Sequence, residues 1–196
     1  MGKVTVMPTT KTWEEELVLE WLLLEGYLAE ANLLLRAGDR GGRNEVDVVG
    51  CRFLKDGSLE IKHIEIGALA ESESKNIDKV CERFNKEHKE DIIKIIKWKF
   101  GLENLPQEII KYKPIFIATN LSPNSVKKLK NKLKNTNIEI LSFKEFIKIV
   151  LETIEKWKNT QKNLGFVKDP INIILPQTYR LMRFLETLKT NNMLKI

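Results

Sequence analysis

The sequence predicts a mixed α/β domain, a sheet with strands running in both directions and helices on both of its faces. Three observations predict it. Two strand-like stretches, 44–50 and 61–67, flank the turn Lys55-Asp56-Gly57-Ser58, which is the mark of an antiparallel hairpin. Two later segments, Pro114–Thr119 and Ile138–Leu141, are short, largely apolar and bounded by turn residues, as strands buried on both faces are. Between and after them, apolar residues recur at helical spacing behind recognisable caps. The order reads α-β-β-β-α-β-α-β-α-α, with helices and buried strands alternating in the second half.

The elements follow in turn. Thr12 and Glu15 make a capping box for a first helix, whose apolar stripe is Trp13, Leu17, Trp21 and Leu24 and whose stop is Gly26. A strand covers about 27–36, and Ala37–Arg43 is a glycine-rich basic turn. After the hairpin, 68–76 is a loop entering a helix patterned by Ile77, Val80, Cys81 and Phe84. A further helical stretch runs from Ile92 to Phe100 and stops at Gly101. Ser122-Pro123 opens another helix, as cap and first-turn proline, and lysines 127, 128, 130, 132 and 134 fill its outer face. Ser142 and Glu145 form a second capping box for a helix reaching about Trp157. Lys158–Leu164 reads as a polar linker. Pro176 introduces a last helix over about 177–190, with Leu181, Met182, Phe184, Leu185 and Leu188 as its apolar side. The division is therefore a core over 1–158 and a helical extension over 159–196, which docks on the core or makes a homodimer. Trp98, Tyr112 and Trp157 read as packing residues rather than platforms for bases.

At 196 residues the chain can bury a substantial core. No segment is long and apolar enough to span a bilayer, so no membrane partner is expected. The N-terminus lacks a charged stretch followed by an apolar run, and the only two cysteines, Cys51 and Cys81, have no metal-site or disulfide-scaffold spacing. A reducing, cytoplasmic setting is expected. The net charge of +6 hides an asymmetry: residues 1–85 hold 11 basic and 16 acidic side chains, and residues 86–196 hold 22 and 11. A basic half of this kind suits a polyanion, and lysines of this number also simply solvate helices.

The chemistry centres on Asp47 and Glu65, one in each hairpin strand. A carboxylate in an apolar strand is costly without a partner, and two on neighbouring strands repel. A divalent cation between them removes both costs, and oxygen ligands of this kind suit Mg²⁺ or Mn²⁺. The reading that follows is metal-assisted phosphodiester cleavage. His63 and Glu45 share strand parity with these two and are possible accessory residues. His88 reads as an exposed helix residue.

The order of elements, with a glutamate on the first helix, Asp47 on the second strand and Glu65 on the third, resembles the PD-(D/E)xK nuclease superfamily, the restriction-endonuclease-like and Holliday-junction-resolvase-like enzymes. The resemblance covers about residues 12–150. Glu45-Val46-Asp47-Val48-Val49-Gly50 is similar to the family strand that carries a metal-ligating aspartate, and His63-Ile64-Glu65-Ile66-Gly67 to its Glu-x-Lys strand. The resemblance implies a restriction-endonuclease-like fold and a DNA nuclease with Asp47 and Glu65 as Mg²⁺ or Mn²⁺ ligands. It also implies that Glu16 binds a second metal or a metal-bound water.

One position departs from the family pattern: Gly67 stands where the motif lysine belongs. Lys62 has the opposite parity and should point to the other face of the sheet. Either the basic residue has migrated to Lys75 or Lys79 on the following helix, with Arg83 one turn further on, or the site is weakened and the chain is a binding module for nucleic acid or a protein.

Overall fold

The computed structural model describes residues 10–36, 44–165 and 173–194, so the Ala37–Arg43 turn lies outside the described residues. Its elements are α1 (Trp13–Leu24), β1 (Leu28–Leu34), β2 (Glu45–Phe53), β3 (Leu59–Gly67), α2 (Glu73–Arg83) and α3 (Lys86–Lys99), then β4 (Ile110–Ala118), α4 (Pro123–Lys132), β5 (Glu139–Ser142), α5 (Phe143–Asn163) and α6 (Arg180–Thr190). The five strands lie side by side in chain order. The β1–β2 and β2–β3 pairs are antiparallel, and β3–β4 and β4–β5 are parallel. The protein is thus α/β with a mixed sheet covered by helices.

β3 is the middle strand, and seven of its nine residues are buried, so its alternating side chains serve two cores. On one face Val48, Ile64 and Ile117 pack with Leu17 and Trp21 of α1 and with Phe146 and Val150 of α5. On the other, Val49, Cys51 and Ile61 pack with Ile92, Ile93 and Ile96 of α3. Further along the sheet, Phe116 packs with Val80 of α2 and with Val126 and Leu129 of α4. Gly50 lets α1 lie close on the sheet, because a Cβ there would stand 2.9 Å from Leu22 Cδ1.

The caps explain most boundaries. Thr12 accepts the Glu15 N–H, Ser122 caps α4, and Ser142 with Glu145 forms the complete capping box of α5. Asn85 caps α3, so α2 and α3 are separate helices meeting at a sharp corner. The stretch 158–164, read from sequence as linker, is mostly helix: α5 continues to Asn163. Polarity alone does not stop a helix, and the backbone first turns left-handed at Gly165. This extra length is used, since Lys158 at its start pairs with Glu186 of α6.

α6 begins at Arg180, three residues later than its sequence pattern suggests, after a turn closed by Tyr179 N–H to Pro176 O at 3.0 Å. Its amide donors have no local cap. The buried carboxylate of Glu20, on α1, accepts Leu181 N–H at 3.2 Å and Met182 N–H at 2.9 Å. Met182 and Leu185 complete the core, so the extension docks on its own domain. Trp98, expected to pack, is 71 % exposed.

Candidate active site

Strand register brings the two carboxylates together. Val48 pairs with Ile64 and Val49 with His63, and continuing that register puts Asp47 opposite Glu65 on the face covered by α2 and α3. Asp47 Oδ2 accepts Ile66 N–H at 2.7 Å. Burial, reinforced by the Glu65 charge, pushes the Asp47 carboxyl up to about 6. Burial also pushes Glu65 up to about 7, against the lowering effect of Arg83. Both groups are held where ionisation is costly, as functional carboxylates often are.

Glu65 is fixed from behind. His63 is fully buried, and burial drives its pKa down to about 3, so its ring is neutral. Tyr112, on β4, has its pKa raised by burial and keeps its proton. The phenol therefore donates to His63 Nδ1 at 2.5 Å, and Nε2–H donates to Glu65 Oε1 at 3.0 Å. In this arrangement an outer residue sets the direction of the Glu65 carboxylate. Phe84, at the α2–α3 corner, packs its ring against His63 at 4.6 Å. The parallel β3–β4 pairing, which sets His63 beside Pro114, carries Tyr112 to the same place.

The candidate glutamate on α1 is placed differently. Glu16 turns to the α6 side and pairs with Arg180 Nη2 at 2.6 Å. The neighbouring Glu15, about 100° around the helix, is the one whose charge reaches both Asp47 and Glu65. It is buried, and its Oε2 accepts Lys11 N–H at 2.7 Å and Asn32 Nδ2 at 3.4 Å. The return bond of the expected capping box is thus made to Lys11, not Thr12. Asn32 is itself unusual. The pairs Ala31–Val48 and Leu33–Val46 bracket it, so it stands opposite Asp47, with φ +54° in mid-strand. A left-handed asparagine inside a strand is a strained conformation, of a kind that clusters at functional sites.

The basic residues sort along α2. Lys75 is exposed and pairs with Glu71 at 3.5 Å. Lys79 Nζ donates to Ala68 O at 3.2 Å, one residue past Gly67. Arg83 reaches the site, with Nη1 3.2 Å from Glu65 Oε2. A Cβ on Gly67 would meet only Phe116 Cζ, at 3.9 Å. Lys62 lies on the opposite face, its ammonium 4.2 Å from the Trp21 ring centroid and 3.5 Å from Glu25. Glu45 pairs with Lys11. His88 is half-buried, and its ring donates Nδ1–H to Arg83 O at 3.0 Å.

Sequence reading missed Glu15, Asn32 and the Tyr112–His63 relay. For Glu15 the signal was present but was absorbed by its role as a capping residue. For Tyr112 none existed, because its contact depends on parallel pairing across a long crossover.

Among the described residues, no three His, Cys, Asp or Glu side chains are gathered to hold a metal ion. Magnesium sites often use one or two carboxylates, completed by waters and substrate phosphates. The pair of a half-buried Asp47 and a buried Glu65 fits that donor set. An apolar groove of about 690 Å³ lies elsewhere, lined by Trp13, Phe143, Leu181 and Phe184. It holds no carboxylate, so the candidate chemistry is placed at Asp47 and Glu65. Among the described residues no helix is long and apolar enough to cross a membrane. No protein-family model matches the chain, and no curated protein matches it.

Proposed function

We propose that the protein is a divalent-metal-dependent nuclease of restriction-endonuclease-like architecture that hydrolyses DNA phosphodiester bonds. The observation that carries this reading is the pair Asp47 and Glu65, set opposite each other on adjacent strands, both held above their ordinary pKa. Asp47 and Glu65 would hold Mg²⁺ or Mn²⁺. Such an ion polarises the phosphate, lowers the pKa of a bound water and offsets charge on the leaving oxygen. His63 and Tyr112 keep the Glu65 carboxylate aimed, and Glu15 adds negative potential to the same place. Lys127, Lys128 and Lys134, exposed on and just past α4, supply a surface for the DNA backbone.

A second reading is a nuclease-fold module that binds nucleic acid or a partner protein without cutting. Gly67 in the place of the motif lysine favours it.

Labelled single-stranded, duplex and branched DNA, incubated with Mg²⁺ or Mn²⁺ and either wild type or Asp47→Ala, tests the choice. Metal-dependent cutting that the variant loses supports the nuclease. Folded wild type that cuts none of the substrates overturns it. Retained, salt-dependent DNA affinity in that case would establish the nucleic-acid form of the binding module.

A further inference from the structure

Arg83 is the last residue of α2, and its side chain is 45 % exposed. It is the basic side chain of α2 that reaches a carboxylate of the site, since Lys79 is spent on Ala68 O and Lys75 on Glu71. The two oxygens of Glu65 are held unequally. Oε1 is bound from inside by the buried His63, whose other nitrogen is fixed by Tyr112. Oε2 is met from outside by Arg83, the one ion-pair partner it has among the described residues. The inner contact is rigid, because His63 is fully buried between Phe84 and Tyr112. The outer contact is made by a long chain with solvent on one side. Arg83 brings a single positive charge to two facing carboxylates, where a divalent cation would match both.

We propose that Arg83 is a displaceable counterion, its guanidinium standing on Glu65 in place of a divalent cation and leaving when a cation binds between Asp47 and Glu65. This rests on the nuclease reading of the same site. Glu65 stays aimed throughout the exchange, because its His63 contact does not depend on Arg83. When it leaves Glu65, the guanidinium stays tethered to the end of α2 and remains a cation beside the site. Gly67 is part of the device: with no side chain beside Glu65 on the strand, the α2 side is open to a residue that can come and go.

The test is titration calorimetry of the full chain with Mn²⁺ at about pH 8.5, where the carboxylates compete least with protons. It compares wild type, Arg83→Gln, Arg83→Lys and Lys79→Gln, each checked for folding by its melting curve. Competition predicts that Arg83→Gln binds Mn²⁺ about 3- to 10-fold more tightly than wild type. Arg83→Lys, which keeps the charge and loses the planar fork, falls between them. Lys79→Gln removes the same charge one turn away without a carboxylate contact, and is expected to change affinity less than about two-fold. Equal tightening in Arg83→Gln and Lys79→Gln would reveal a general field effect and overturn the proposal. Unchanged or weaker binding in Arg83→Gln would overturn it too, leaving the nuclease reading intact. No Mn²⁺ binding by any folded form would remove the nuclease reading itself, and the proposal with it.

Discussion

Replacing Asp47 by Asn should make the metal-free protein more stable. The substitution keeps the size of the side chain and an oxygen for the Ile66 N–H, and removes one of two facing charges. Burial and Glu65 raise the Asp47 pKa to about 6 from an ordinary 3.8. The folded state therefore binds the proton more tightly than the unfolded chain does. For such a group stability is highest at low pH and falls as pH rises between the two values. At 1.36 kcal/mol per pKa unit, a shift of about 2 units amounts to about 3 kcal/mol at pH 8, and roughly half of that is already lost at pH 5. Asp47→Asn should thus exceed wild type by about 2–3 kcal/mol at pH 8 and by about 1–1.5 kcal/mol at pH 5. Urea denaturation in EDTA at both pH values measures this. Adding Mn²⁺ should narrow or reverse the gap, since only wild type keeps both carboxylates. A variant equal to or weaker than wild type at pH 8 in EDTA would refute the reasoning, because Asp47 would then have a compensating partner.

Three further outcomes are expected. Gly67→Lys should fold within about 0.5 kcal/mol of wild type, because its Cβ meets only Phe116 Cζ at 3.9 Å and its backbone is ordinary; a urea midpoint shift worth more than about 1.5 kcal/mol would contradict the open space at this position. Glu20→Ala removes both acceptors at the start of α6 and should cost about 1–3 kcal/mol. Hydrogen exchange should then speed up across 181–185 while β2 and β3 stay protected. His63→Ala should cost about 2–4 kcal/mol in thermal or urea melts, since it empties a fully buried site and strands Tyr112 and Glu65.

Much of the architecture was legible because it rests on local signals. Thr12, Ser122 and Ser142 mark helix starts, the turn at Gly57 joins the hairpin, and the apolar runs around Phe116 and Ile140 are the parallel strands. The Asp47–Glu65 pairing was legible too, since alternation and a short turn constrain register. What escaped depends on rotation or on distant chain. Glu15 and Glu16 are neighbours in sequence, and only the packing of α1 decides which one's charge is felt at Asp47. The spacing of Lys75, Lys79 and Arg83 showed a shared helix face, but not which turn lies over Glu65. The end of α5 was misjudged because a polar stretch looks alike as linker and as a helix that carries ion pairs outward. No local signal in α6 announces Glu20, which sits far earlier in the chain.

The sheet is antiparallel on one side of β3 and parallel on the other, and that division predicts an order of folding. β1, β2 and β3 form a meander of nearby residues, whose closure costs little chain entropy. β4 can join only after the whole stretch from 68 to 109 has been brought round. That order predicts that Asp47 and Glu65 are set side by side while still hydrated, and are dried last, when α2, α3 and Tyr112 close over them. A cost imposed that late acts on the lifetime of the native state and not on the speed of reaching it. The stability gained in Asp47→Asn should accordingly appear as slower unfolding, with the refolding arm of the chevron unmoved.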